Sequence, residues 1–236
     1  MNEMLHSPQM ISAEQAEELQ RTFVAKVYGW MMAGLMLTGI IAFLTVHSEL
    51  ALSIVFSSRI VFYGLLLGQL ALVIWLSARV SHMSAMTATV VFMAYSALTG
   101  LTLSVVFLAY TAASIATTFF VTGGTFGLMS AYGYFTRRDL TSLGGFLMMG
   151  LIGVILASVV NFWLENSTVY WIATYVGILI FVGLTAYDTQ KIKMMSGIAL
   201  EGGEAEQKGA IMGALSLYLD FINLFLLLLR LMGNRR

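Results

Sequence analysis

Seven stretches of this sequence are apolar and about as long as a bilayer core: roughly residues 25–46, 57–78, 84–107, 113–135, 143–164, 170–195 and 210–232. A spanning helix needs roughly 20 such residues, and it must satisfy its own backbone polar groups because hydrocarbon cannot. The connections are short, and the largest polar linker is 197–208, GIALEGGEAEQK. The expected fold is therefore an all-α membrane protein with seven transmembrane helices, a single membrane domain over residues 23–236 behind a short polar lead, 1–22. The lead has an amphipathic turn at Ala13–Thr22 and lacks the basic-then-apolar run of a secretory signal, so the first span is expected to serve as an uncleaved one.

Composition agrees and removes several function classes. Charged residues make up 10% of the chain and hydrophobic ones 59%, against about 25% charged in soluble domains. The net charge of zero gives no basic surface for nucleic acid. With no cysteine, disulfides, thiol nucleophiles and Cys-ligated metals are excluded. Pro8 is the one proline, so helix kinks fall to glycine or serine.

Lys and Arg in the short loops set the orientation. With the N-terminus cytosolic, that side holds Arg21, Lys26, Arg79, Arg137, Arg138, Lys191, Lys193 and Lys208, and the outer side of the first six spans holds Arg59. An odd number of spans puts Arg230, Arg235 and Arg236 outside, against the trend; the alternative is a re-entrant last helix with both termini cytosolic. Glycines at four-residue spacing, Gly64 and Gly68, Gly123 and Gly127, Gly209 and Gly213, are expected to serve close packing within the bundle.

Asp188 and Asp220 lie inside apolar stretches, whereas Asp139 follows Arg137 and Arg138 in a loop. A charge at the centre of a spanning helix costs about 2.5–3.5 kcal/mol even on lenient scales, so such residues are functional by default. On the seventh span Gly209, Gly213, Ser216, Asp220, Asn223, Leu227 and Arg230 share one face, and on the sixth Thr174, Gly177, Phe181, Thr185 and Asp188 do the same. Both stripes should turn from lipid toward an interior cavity, with protein around most of the seventh helix. At 1.5 Å per residue, Asp188 lies about 13 Å inside a helix ending at Gly197, and Asp220 about 15 Å inside one starting near Ala210. The carboxylates therefore fall at similar depth on consecutive antiparallel helices.

Two facing carboxylates in low dielectric do not both ionise cheaply, so the pair takes up protons in coupled steps. Bound calcium acts oppositely, favouring both charges. The structural alternative is a hydrogen-bonded pair that fixes helix register. Arg79, ending the second span, is within possible reach of Asp188 or is a snorkelling anchor. Arg230 lies about 15 Å along the helix from Asp220 and closes the outer end of the path or anchors at the interface. Gln69, mid-way along the second span, either meets Arg230 or bonds a neighbouring helix.

The segments GLTAYDTQKIK (183–193) and LSLYLDFINLFLLLLR (215–230) resemble the paired signature of the Bax inhibitor, or transmembrane Bax-inhibitor-motif, family. MAYSALTGLTLS (93–104) and RRDLTSLGGFL (137–147) add to it, and the likeness runs from about Ala25 to the C-terminus. Without a Pro-rich N-terminal extension or Lys-rich tail, the chain looks like a bacterial inner-membrane member. The resemblance implies a seventh helix wrapped by the other six and a pH-sensitive calcium leak governed by a di-aspartyl pair, Asp188 and Asp220. It also implies Arg79 as latch on Asp188 in the closed state. Arg230 matches the family's last-helix arginine, whose partner in some bacterial relatives is a glutamate where this chain has Gln69.

The alternative function is regulation of a membrane-bound quality-control protease, with the carboxylates structural and residues 1–22 as the handle. An enzyme is not expected. Zinc wants several His, Asp or Glu groups together, yet His6 is in the lead and His47 and His82 are at helix ends. No serine–histidine couple lies at matching depth. The sequon Asn166-Ser167-Thr168 is incidental, and Trp163, Tyr170 and Trp171 form an interfacial belt. No cofactor is expected beyond calcium as permeant or bound ion at Asp188 and Asp220; the partners are the bilayer, calcium and, in the alternative, the protease.

Overall fold

The computed structural model describes residues 12–197 and 202–236. Helix dominates: α1 (Ala13–Val46), α2 (Glu49–Val55), α3 (Arg59–Arg79), α4 (Ala85–Ala109), α5 (Ala112–Phe135), α6 (Thr141–Leu164), α7 (Ser167–Met195) and α8 (Gly203–Met232). All but α2 are long and apolar enough to cross a membrane, and they fall on the seven stretches expected from hydropathy.

Capping explains most boundaries. Ser12 and Gln15 form a reciprocal capping box at the start of α1, so residues 13–22 of the polar lead continue the first helix as its exposed start. Residues 1–11 of that lead lie outside the described residues. Ser48, Ser58, Ser84, Thr111 and Asn166 each accept a backbone N–H at the start of the next helix. α7 ends in a right-handed turn at Ser196 and Gly197 shows no positive φ, so the glycine stop expected there is not the device used. Of the polar linker, residues 203–208 are helical and 198–201 lie outside the described residues.

α8 is the central helix. More than half of its apolar stretch is buried (56%), the largest share of any span. α1, α4, α5 and α7 pack along it, while α3 rests mainly on α4 and α6 on α7. The main core gathers Phe23, Val27 and Met31 of α1, Phe92 and Tyr95 of α4, and Leu217, Tyr218 and Phe221 of α8. A smaller cluster joins Leu147, Ile180, Leu184, Leu224 and Leu228 between α6, α7 and α8.

The two ends of the bundle are distinct. At one, Lys26 pairs with Glu206 at 2.9 Å and Gln20 donates to the Lys193 carbonyl at 3.2 Å. At the other, the C-terminal tail closes on the α4–α5 turn: Thr111 N–H donates to Asn234 O, Arg236 N–H to Ala109 O, and Arg235 bridges Tyr110. α8 thus crosses the whole bundle and carries the C-terminus to the end opposite the start of α7–α8 pairing. The last helix runs the length of the bundle rather than turning back within it.

The glycine expectation needs correction. A Cβ on Gly64, Gly68, Gly123 or Gly127 would meet nothing within 4 Å, although one on Gly213 would touch Ile192 and Val27 at 3.1 Å. Close approach is made elsewhere, by Gly34 against Phe92, Gly100 against the Thr38 carbonyl, Gly133 against Ala186 and Gly144 against Tyr187. Spacing alone does not say which helix face meets a neighbour.

Candidate functional site

The polar stripe of α8 faces a cavity. Ser216, Asp220, Asn223, Leu227 and Arg230 of α8 line a space of about 1070 Å³, together with Phe181, Leu184 and Asp188 of α7. α6 and the start of α3 form its side walls. Five members of the α8 stripe thus share one cavity wall, while of the α7 stripe Phe181 and Asp188 reach it and Thr174, Gly177 and Thr185 do not. Close packing of α7 on α8, with Gly177 admitting Leu227 at 3.0 Å from its would-be Cβ, holds the walls in register.

Asp188 of α7 and Asp220 of α8 line the same cavity, where the two helices pack together. Asp220 is 4% exposed, and its Oδ2 has no hydrogen-bond partner among the described residues. A buried carboxylate oxygen without a partner costs several kcal/mol if it stays charged and bare. It calls for a proton, a cation or water in the cavity. Asp188 is half-buried, and Lys191 follows it by three residues along α7.

The α7 motif is built to fix Asp188. Gly183 admits Leu147 of α6, Thr189 bonds Tyr28 of α1 at 3.0 Å, and Gln190 accepts from Leu140 N–H and donates to Arg138 O, both at 2.8 Å. Lys193 donates to Tyr134 O at 2.8 Å and lies over the Tyr134 ring. The residues flanking Asp188 are thus tied to α1, α5 and α6. Asp139 accepts from Thr141 N–H at 2.8 Å at the start of α6, and the Thr141 side chain together with this N–H holds the carboxyl below its ordinary range.

Other candidate residues are not brought to the pair. Arg79 is exposed at the end of α3 and enters no ion pair among the described residues; α3 packs on α4 rather than α7. Gln69 does not meet Arg230. Its amide donates to Thr102 Oγ1 at 3.0 Å and to Leu98 O at 3.3 Å, joining α3 to α4. Arg230 instead lies 4.7 Å over the Tyr170 ring and donates to Thr174 Oγ1 at 3.4 Å, both on α7. Asn223 lines the cavity and donates to Leu219 O at 2.8 Å.

One buried network was not anticipated. Tyr218 of α8 is fully buried between Phe92 and Tyr95, and its hydroxyl meets Thr38 of α1 at 2.7 Å. Thr38 in turn reaches the Ser96 carbonyl of α4. The signal was present in MAYSALTGLTLS, whose Tyr95, Ser96, Thr99, Gly100, Thr102 and Ser104 are all buried. This network locks α1, α4 and α8 on the side of α8 away from the cavity.

A family model described as inhibitor of apoptosis-promoting Bax1 matches residues 20–236. The chain belongs to the Bax inhibitor family. Its relatives include the inner membrane protein YbhL of Escherichia coli K12, 53% identical over 97% of this chain and 98% of the relative. An uncharacterized protein of Borreliella burgdorferi is 44% identical over 92% and 94% of the two chains. An uncharacterized membrane protein of Streptococcus pyogenes M1 is 33% identical over 90% and 92%. As a Bax inhibitor family protein with seven helices apolar enough to span, the chain is a multi-pass membrane protein.

Proposed function

We propose that the protein is a pH-sensitive leak for cations, calcium above all, in a bacterial inner membrane, with Asp188 and Asp220 as its proton-sensing pair. The observation that carries this reading is the unpartnered Oδ2 of Asp220, buried beside a second carboxylate on the wall of a sizeable cavity. A proton and a passing cation compete for the same oxygens, which couples flux to pH. No group of three or more His, Asp or Glu converges among the described residues. The pair supplies part of the roughly six to eight oxygens that calcium takes; this suits a permeant ion better than a resident one. The membrane is inferred from the Escherichia coli relative, an inner membrane protein.

The second reading, a regulator of a membrane-bound protease, has the exposed start of α1 (residues 13–22) in its favour as a handle. Calcium entry into liposomes carrying the purified protein separates the two. The leak reading expects flux above empty liposomes that falls away or loses regulation in Asp220→Asn. Flux equal to that of empty liposomes supports the regulator reading, which predicts loss of function on deletion of residues 1–22.

A further inference from the structure

Arg230 stands where two cavities meet. The first is the space of about 1070 Å³ already described, and its walls toward Arg230 are apolar: Leu67, Leu151, Ile155, Leu226 and Leu227. The second, about 640 Å³, is lined by Ser158, Asn161, Asn166, Ser167 and Tyr170, with Glu165 among them. Both cavities include Ser158, Phe162 and Arg230. The larger one lies between α3 and α6, and its rim residues Leu67 (66% exposed) and Phe162 (67%) face outward, so it opens sideways toward the lipid.

We propose that these joined cavities bind one anionic phospholipid from the leaflet on the C-terminal side, its phosphate at Arg230 and an acyl chain in the groove between α3 and α6. Dimensions support a lipid. From Arg230 to Asp220 the helix rises about 15 Å, half of a bilayer core of about 30 Å, so the groove runs the depth of one leaflet. Charge supports an anion: among the described residues no ion pair includes Arg230, and its one hydrogen bond, to Thr174, is long at 3.4 Å. A guanidinium presents a donor fork suited to phosphate oxygens, and the Tyr170 ring beneath it fixes its plane. Glu165 in the polar cavity disfavours a multiply charged headgroup, and Ser158, Asn161 and Ser167 offer partners to headgroup hydroxyls. The acyl chain shares the cavity with Asp188 and Asp220, whereas phosphate binding at Arg230 needs neither carboxylate.

The test is native mass spectrometry of the full chain in detergent, titrated with phosphatidylglycerol or with phosphatidylcholine of the same acyl chains. Phosphatidylglycerol is expected to occupy one site about tenfold more tightly, because both lipids offer Arg230 a phosphate but only phosphatidylcholine brings a fixed cation beside the guanidinium. Arg230→Gln should erase that preference while Arg230→Lys keeps part of it. Ser158 is exposed on α6 at the junction of the cavities; Ser158→Trp should therefore weaken both lipids without disturbing the core. Equal binding of the two lipids to the parent protein would overturn the proposal, as would an unchanged preference in Arg230→Gln. Full displacement of phosphatidylglycerol by inorganic phosphate at matched concentration would also overturn it, leaving a simple anion site.

Discussion

Replacing Gly133 by alanine drives a methyl group into the backbone of α7. A Cβ built on Gly133 meets the Ala186 carbonyl oxygen and stands 2.9 Å from its carbon and 3.0 Å from its Cα. Carbon atoms prefer about 3.5–4.0 Å, and backbone cannot swing aside as a side chain can. α5 and α7 must then part by roughly half an ångström or more, an overpacking cost of about 1–3 kcal/mol. For a chain of this size each kcal/mol lowers the unfolding midpoint by about 2–4 °C, so a fall of about 2–12 °C is expected. Gly127→Ala is the matched control on the same helix: its Cβ meets nothing within 4 Å, and helix propensity favours alanine by up to about 1 kcal/mol. The assay is thermal unfolding in one detergent, followed by tryptophan fluorescence. Because Ala186 is two residues from Asp188, Gly133→Ala should also alter calcium flux. Equal midpoints for the two variants would refute the reasoning, since it assigns the cost to a contact that Gly127 lacks.

Two further predictions concern charges at the bundle's ends. Lys26 and Glu206 keep 33% and 23% of their side-chain surface exposed, so a double-mutant cycle should give a coupling below about 1 kcal/mol that shrinks further in high salt. A coupling that salt leaves intact would contradict this. The Asp139 carboxyl is held below its ordinary value by Thr141; a lowered native pKa stabilises above the unfolded value and is lost as pH falls through the native one. The stability difference between parent and Asp139→Asn should therefore be constant at neutral pH and close in strong acid, read from unfolding midpoints across pH. A difference that first opens in acid would reverse the sign.

Hydropathy made the spans legible because lipid leaves a helix no other way to satisfy its backbone. The carboxylate pair was legible for a related reason: a polar stripe on an otherwise apolar helix has to face inward, and helical rise fixes its depth. What failed to show was whatever depended on rotation between helices. The spacing of Gly123 and Gly127 looks like a packing seam, whereas Gly133, with no such partner, makes the contact. Gln69 and Arg230 were candidates for one another, yet each bonds the helix it packs against, at Thr102 and Thr174. α2 was hidden because ELALSIV is too short for a span and lies in a connection. The extension of α1 back to Ala13 was written in the Ser12–Gln15 capping box, which the polarity of the lead obscured.

The central claim is that Asp188 and Asp220 sense protons for a leak, and calcium flux into liposomes at about pH 6, 7 and 8 tests it most directly, because the steps in which a coupled carboxylate pair titrates belong to both residues together. The account predicts flux that varies with pH in the parent protein, and a dependence abolished in both Asp188→Asn and Asp220→Asn. An unchanged pH profile in either variant would contradict it and leave the carboxylates a structural role between α7 and α8.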